Sequence, residues 1–299
     1  MEIVFFFEVL IGGLLAGVMY SLVALGFVLI YKASGVFNFA QGAMVFLAAL
    51  TFVSILKMGV NFWLALLVTL AVMVVLGISI EKVVLRPLVN QPPITLFMAT
   101  IGLTFVLEGL SQLVWGSQPH GLELGIPDVP MEWLANSTGM VISQFDLFAS
   151  GIAAVLVAAL ALFFQYTRIG RALRAVADDH QAALAVGIPL KHIWAIVWAV
   201  AGFVALVAGL MWGARNGVQF ALTFIALKAL PVLILGGFES IPGAIVGGLI
   251  IGASEKLAEV YIGPMVGGGI ESWFAYVIAL LFLLVRPQGL FGEKIIDRV

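Results

Sequence analysis

The sequence predicts an all-α fold, a polytopic transmembrane helical bundle of eight to ten spans, and three observations lead there. The 299 residues are 63% hydrophobic and only 10% charged, where a soluble globular domain carries about 25% charged and about 45–50% apolar residues. The mean hydropathy is +1.18. The apolar residues also fall into repeated runs close to the roughly 20 residues that cross a hydrocarbon core. A soluble core of this length has no need of so much apolar sequence, and a bilayer as solvent accounts for it.

Taken in order, the runs cover residues 5–30, 36–56, 61–80, 93–115, 141–166, 192–214, 219–236, 243–262 and 271–286. The start, Met1-Glu2-Ile3-Val4, lacks the basic region of a cleavable signal, so the first run is expected to remain a span. Region 219–262 is interrupted by Pro231, Gly236-Gly237, Pro242-Gly243 and Gly247-Gly248. It reads as full spans, half-helices or a re-entrant pair. The chain is expected to form one domain over 1–299. With no cysteine there are no disulfides or thiolate metal sites, and a net charge of −2 gives no argument for nucleic acid.

Orientation follows from the placement of Lys and Arg. Segments 81–92 and 167–191 and the tail from Arg286 to Arg298 are basic, whereas 116–140 carries Glu123, Asp128 and Glu132 but no Lys or Arg. The basic segments are expected in the cytoplasm and 116–140 outside, which leaves Lys57 and Arg215 on the wrong side. Residues 35–45, GVFNFAQGAMV, and 236–246, GGFESIPGAIV, share Gly, Phe, Gly, Ala and Val in register. They read as an internal repeat with broken helices, or as coincidence in a Gly/Ala/Val-rich background. An inverted repeat would put the two stretches on opposite sides of the membrane, and the charge pattern puts both inside.

The polar segment Arg168 to Ala195 separates two spans. Arg171, Arg174, Asp178 and Gln181 recur at three and four residues and so share one helical face, while Leu173, Val176, Ala177 and Leu184 fall on another. Gly187 supplies a stop and Pro189 follows. From spacing alone this is either a solvated connector or a surface helix that docks a soluble partner. It resembles the cytoplasmic loop of ABC permeases of the branched-chain amino-acid importer (LivH) type, in which G-R-x-x-R-A-x-x-x-D leads to A-x-x-x-G-I. Gly170-Arg171, Arg174-Ala175, Asp179, Ala183 and Gly187-Ile188 match it, with Asp178 beside them.

Other stretches are similar to the same family in the same order: Gly12 to Gly42, Arg86 to Leu110, and the C-terminal RPQGLFG from Arg286 to Gly292. The resemblance implies a permease subunit in the cytoplasmic (inner) membrane that moves a branched-chain amino acid or a related amino acid or amide. Segment 167–191 would couple it to partner ATPase subunits, which would hold the ATP and Mg. A second permease chain, copy or paralogue, and an external solute-binding protein are the other partners implied. One departure stands out. Family members commonly read N-F-A-H-G-E after the first span, whereas this chain reads Asn38-Phe39-Ala40-Gln41-Gly42-Ala43.

Polar groups inside apolar runs are the remaining candidates. Glu108 shares a helical face with Thr100, Thr104 and Ser111, as a stripe along a solute path or as a hydrogen-bonded seam between helices. Asn38, Gln41 and Gly42 sit at a helix start, where free N–H groups meet a solute carbonyl or carboxylate, or where Asn38 caps the helix. Lys228 and Glu255 pair with each other, face a cavity or lie outside the hydrocarbon. GGLIIGASE and VGGGIE are tight-packing segments, because no Walker G-x-x-x-x-G-K-[ST] occurs. His120, His180 and His192 have no metal-ligand spacing and no nucleophile elbow is present, so no catalytic group is expected. A self-sufficient secondary transporter or channel is the alternative to the importer permease.

Overall fold

The computed structural model describes residues 2–88, 91–178 and 180–292. Among them the helices are α1 (Glu2–Ser34), α2 (Gln41–Lys57), α3 (Phe62–Ser79), α4 (Pro93–Trp115), α5 (Glu132–Thr138), α6 (Gln144–Tyr166), α7 (Arg168–Asp178), α8 (His180–Ala185), α9 (Leu190–Asn216), α10 (Ile225–Gly236), α11 (Ile241–Tyr261), α12 (Gly263–Val266) and α13 (Glu271–Val285). A π-helical turn, Ile80–Leu85, prolongs α3, and a 3-10 turn, Phe220–Phe224, precedes α10. Extended pairing among the described residues is confined to isolated bridges, His120 with Val218 and Pro130 with Ser143.

Six helices among the described residues are long and apolar enough to cross a bilayer: Glu2–Ser34, Phe62–Leu88, Ile94–Trp115, Gln144–Tyr166, Leu190–Asn216 and Ile241–Tyr261. The chain is therefore a multi-pass membrane protein. Gln41–Lys57, Phe220–Gly236 and Glu271–Val285 are apolar but shorter. The sequence ruler starts the first of these at 36 because it counts apolar residues without seeing the turn at 35–40.

The chain divides into two compact units. The first is Met1–Ala24, Gly125–Ala158 and Leu227–Val299; the second is Leu25–Leu124 and Ala159–Ala226. In the second unit α2 is the centre, buried along almost its whole length, and α3, α4, α9 and the 220–224 turn pack around it. By contrast α3 buries only Ala65, Thr69, Met73 and Gly77, one stripe four residues apart, against α9. Its other faces present Trp63, Leu64, Leu67, Val68, Val72 and Val75, as a lipid-facing helix does. Gly77 lets the two backbones approach: a Cβ there would lie 2.7 Å from the carbonyl carbon of Trp198. Lys57 and Arg215, the two residues out of step with the charge pattern, sit in the last turns of α2 and α9, where a cation complements the helix dipole.

In the first unit the GGLIIGASE segment acts as a packing surface, whereas VGGGIE does not: Gly267, Gly268 and Gly269 form an open left-handed turn. A Cβ on Gly13 would lie 2.7 Å from Gly252 O, and one on Gly252 would lie 2.5 Å from Gly17 Cα, so α1 and α11 cross backbone on backbone. Ser21 Oγ donates to Gly17 O at 2.9 Å and to Ile245 O at 3.3 Å across this crossing. The C-terminal RPQGLFG stretch folds back onto the end of α10, with Leu290 N donating to Leu235 O (2.8 Å) and Phe291 N to Gly236 O (3.1 Å). Residues 35–40 and 237–240, within the two similar sequence stretches, are both turns that lead into a helix, α2 and α11.

Candidate solute path and coupling segment

The turn before α2 is held by stacked aromatics: Phe27 on Phe37 (4.8 Å between centroids), Phe37 against Phe39 (4.6 Å) and Phe39 against Phe97 of α4 (4.9 Å). Asn38 and Gln41 are both 0% exposed. Asn38 Oδ1 accepts from Ala40 N (3.1 Å), and Asn38 Nδ2 donates to Gln41 Oε1 (3.4 Å). Asn38 therefore braces the turn and is not the N-cap of α2, which begins without a side-chain cap. Gly42 faces Thr223 O so closely that a Cβ would strike that carbonyl.

On α4, Thr100, Leu103, Leu107 and Ser111 form the buried stripe, and Thr104 and Glu108 are half-buried beside it. Thr100 Oγ1 donates to Phe37 O (3.1 Å) and Phe97 O (2.9 Å), Thr104 Oγ1 to Thr100 O (3.0 Å) and Ser111 Oγ to Leu107 O (2.6 Å). These hydroxyls serve backbone carbonyls, and Thr100 makes the seam to the α2 turn. Glu108 differs: its carboxyl lies beside the Thr223 hydroxyl, whose single proton also goes to Phe220 O at 2.9 Å. Thr223 thus joins two of the expected path residues, Gly42 and Glu108. No sequence pattern singles it out, because it acts from an irregular turn.

The 168–188 segment is helical over Arg168–Asp178 and His180–Ala185. Gly170, Leu173 and Val176 are the buried face of α7, and Arg171 and Asp178 are exposed. Asp179 lies outside the described residues. Arg174 turns back onto the end of α6: Nη1 donates to Phe164 O (2.6 Å) and Nη2 to Gln165 O (3.2 Å). Arg171 Nη1 reaches Tyr166 O at 3.4 Å. The last carbonyls of a helix have no intrahelical partner, and α7 supplies cations to three of them in succession. Gly170 permits this fold, since a Cβ there would strike Phe164 O and come within 2.6 Å of Phe164 Cα.

Ala183 is 2% exposed, whereas Gly187 is open and left-handed at φ +84°. Ile188 N donates to Ala183 O (2.9 Å) and Gly187 N to Leu184 O (3.0 Å), the Schellman arrangement that the Gly stop implies. Leu184 is 55% exposed, next to Val186 at 75%, whereas Leu173 and Val176 are buried.

Of the three readings of Lys228 and Glu255, the structure selects pairing. Lys228 Nζ is ion-paired with Glu255 Oε1, a side chain 1% exposed, and donates to Glu271 O at 3.2 Å. Tyr20 OH reaches Glu255 Oε1 at 3.4 Å, and Lys256 pairs with Glu271 at 3.1 Å. Sequence reasoning passed over a second buried carboxylate, Glu81, 0% exposed and held bidentately by Arg86 (3.0 and 2.7 Å). Among the described residues no group of three His, Cys, Asp or Glu is placed to hold a metal ion.

Comparison with known proteins bears on the same segments. Residues 9–286 match the family model described as branched-chain amino acid transport system / permease component. The chain is 28% identical over 315 residues to the high-affinity branched-chain amino acid transport system permease protein LivH of Escherichia coli, covering 100% of this chain and 99% of that one. It is 29% identical over 314 residues to the corresponding permease protein BraD of Pseudomonas aeruginosa, with the same coverage. Its fold is similar to PsaBC from Streptococcus pneumoniae, solved in complex with Fab, with a TM-score of 0.50 at 15% identity over 92% of this chain and 89% of that one. The match over nearly the full length means that the chain belongs to the branched-chain amino acid transport system permease component family.

Proposed function

We propose that the chain is the transmembrane permease subunit of an ABC importer in the cytoplasmic (inner) membrane, moving a branched-chain amino acid or a related small polar solute. ATP and Mg act on partner ATPase subunits. An external binding protein delivers the solute, and a second permease chain, copy or paralogue, completes the path. The whole of 1–299 serves this one task. The three shorter apolar helices cross the membrane as well, bringing the spans within eight to ten; helices of 15–17 residues extend about 23–26 Å and gain reach where protein covers their ends. The related stretches 35–45 and 236–246 mark a repeat with broken helices.

The observation that carries this reading is the α7–α8 surface element. It sits between two long apolar helices, is fixed to α6 by Arg171 and Arg174, and ends in exposed Leu184 and Val186. An exposed apolar tip on a rigidly held polar element suits docking of a soluble ATPase. Gly170, Arg171, Arg174 and Ala183 set its angle, while Asp178 and Gly187 belong to the partner-facing side, and Asp179 is assigned to the coupling segment with them. Asn38, Gln41, Gly42, Thr100, Thr104 and Glu108 form the solute path, with Thr223 added.

The test is co-purification in mild detergent of the wild type and of Leu184→Asp/Val186→Asp, with ATPase activity measured in each. Wild type is expected to retain ATPase subunits, and the variant to lose at least about 90% of them while eluting as a folded protein, as an apolar contact replaced by two buried charges would. Wild type that brings down no ATPase overturns the importer reading and leaves the self-sufficient transporter or channel.

A further inference from the structure

We propose that the buried N-terminus of α2 is the carboxylate-binding end of the solute site, with Gln41 Nε2 and the Gly42 and Ala43 N–H groups as donors; this rests on the permease function proposed above. The orientation of the Gln41 amide is fixed by its neighbours. Ala40 N needs Asn38 Oδ1, so Asn38 presents Nδ2 to Gln41, which must answer with Oε1. Gln41 Nε2 is then a fully buried donor with no acceptor among the described residues. Such groups are rare and call for a partner that completes them.

The helix start has the same deficit. Gln41 N is satisfied by Asn38 O and Met44 N by Ala40 O. Gly42 and Ala43 lie between them in a helix that begins without a side-chain cap or an acid in its first turn. An acid at position 43 would sit where it could cap its own helix start. This chain has Ala43, so an anion at that place has to come from the ligand. Backbone N–H groups and the positive end of a 17-residue helix dipole select a carboxylate over an amide or hydroxyl.

The opposite charge lies near. Thr100 is bonded at Phe37 and Trp115 at Thr51, which fixes the register of α4 along α2. Glu108, midway, is therefore level with the first turn of α2, and Thr223 touches both Gly42 and Glu108. A donor end and an acid in one place match the two charges of a zwitterionic α-amino acid.

The experiment uses the complete transporter, co-purified with its partners and placed in nanodiscs. Binding of radiolabelled L-leucine is competed by unlabelled L-leucine and by L-leucinamide, which keeps the amine and loses the carboxylate. Wild type is expected to prefer leucine by about tenfold or more, the scale of a charge-assisted hydrogen bond. Gln41→Met and Ala43→Glu should lower leucine affinity about tenfold and leave leucinamide unchanged, so the preference falls to near one. Ala43→Glu carries the test if Gln41→Met fails to fold, because its carboxylate would cap the same N–H groups and leave the helix start satisfied. Wild type that fails to bind leucine or does not separate the two ligands, or variants that keep the preference, overturns the carboxylate site. If ATPase subunits still co-purify in those preparations the permease function survives; if none do, that function fails first.

Discussion

Lys228→Met isolates the most exacting electrostatic arrangement in the first unit. The substitution keeps a straight apolar side chain on α10 but removes the ammonium from Glu255, whose side chain is 1% exposed while that of Lys228 is 26% exposed. The stranded carboxylate keeps only the Tyr20 hydroxyl at 3.4 Å on Oε1 and has no partner for Oε2 among the described residues. Breaking a buried pair from one side costs about 3–5 kcal/mol, because the remaining charge is left without compensation. The partial exposure of Lys228 places the expected loss near the lower end, about 3 kcal/mol. Lys228→Met/Glu255→Leu removes both charges with similar volume and should return to within about 1 kcal/mol of wild type. Unfolding by SDS in mixed micelles, followed by far-UV circular dichroism, gives the four corners of the cycle. A single-variant loss below about 1 kcal/mol, or a double variant that equals the sum of the singles, would refute the pairing argument.

Two steric predictions follow from the glycine contacts. Gly252→Ala puts a Cβ on Gly13 O and 2.5 Å from Gly17 Cα, so α1 and α11 must separate, at a cost of about 3 kcal/mol; the same unfolding assay checks it, and a neutral result means that the crossing is looser than described. Gly170→Ala forces the α6–α7 elbow apart without altering the exposed tip at Leu184 and Val186. Co-purified ATPase should fall at least about threefold in that variant, since a misplaced tip is a weaker contact, and full retention would show that the angle of the elbow does not matter.

What the sequence made legible was encoded within a few residues. Composition and run length announced the membrane, Leu173 and Val176 announced the buried face of α7, and Gly187 followed by Pro189 announced the stop after α8. What stayed hidden depends on irregular turns or distant partners. Glu81 and Arg86 are five residues apart, and only the π-helical turn over Ile80–Leu85 brings them into register, where ordinary helix spacing looks three or four residues away. Thr223 matters because a 3-10 turn sets it between residues 42 and 108. Lys228 and Glu255 were recognised as costly in an apolar environment, yet their pairing over 27 positions is a tertiary fact that spacing does not carry.

The arginines of the surface segment show how a family motif and a physical role come apart. A Gly-Arg-x-x-Arg pattern on a polar helix invites the view that both cations face an acidic partner. Here Arg174 spends two donors on Phe164 O and Gln165 O, and Arg171 leans on Tyr166 O, so the pattern first serves to weld α7 to the end of α6. The other end of the segment is built differently: Gly187 is left-handed, with open space around it, and Pro189 follows before α9 begins. A push on the exposed tip would then reach α6 through a hydrogen-bonded elbow and reach α9 through a glycine joint able to absorb rotation. On the permease function proposed above, α6 is the helix that a docked ATPase drives, and charge reversal at Arg174 would uncouple transport by loosening that elbow before it disturbed any contact with the partner.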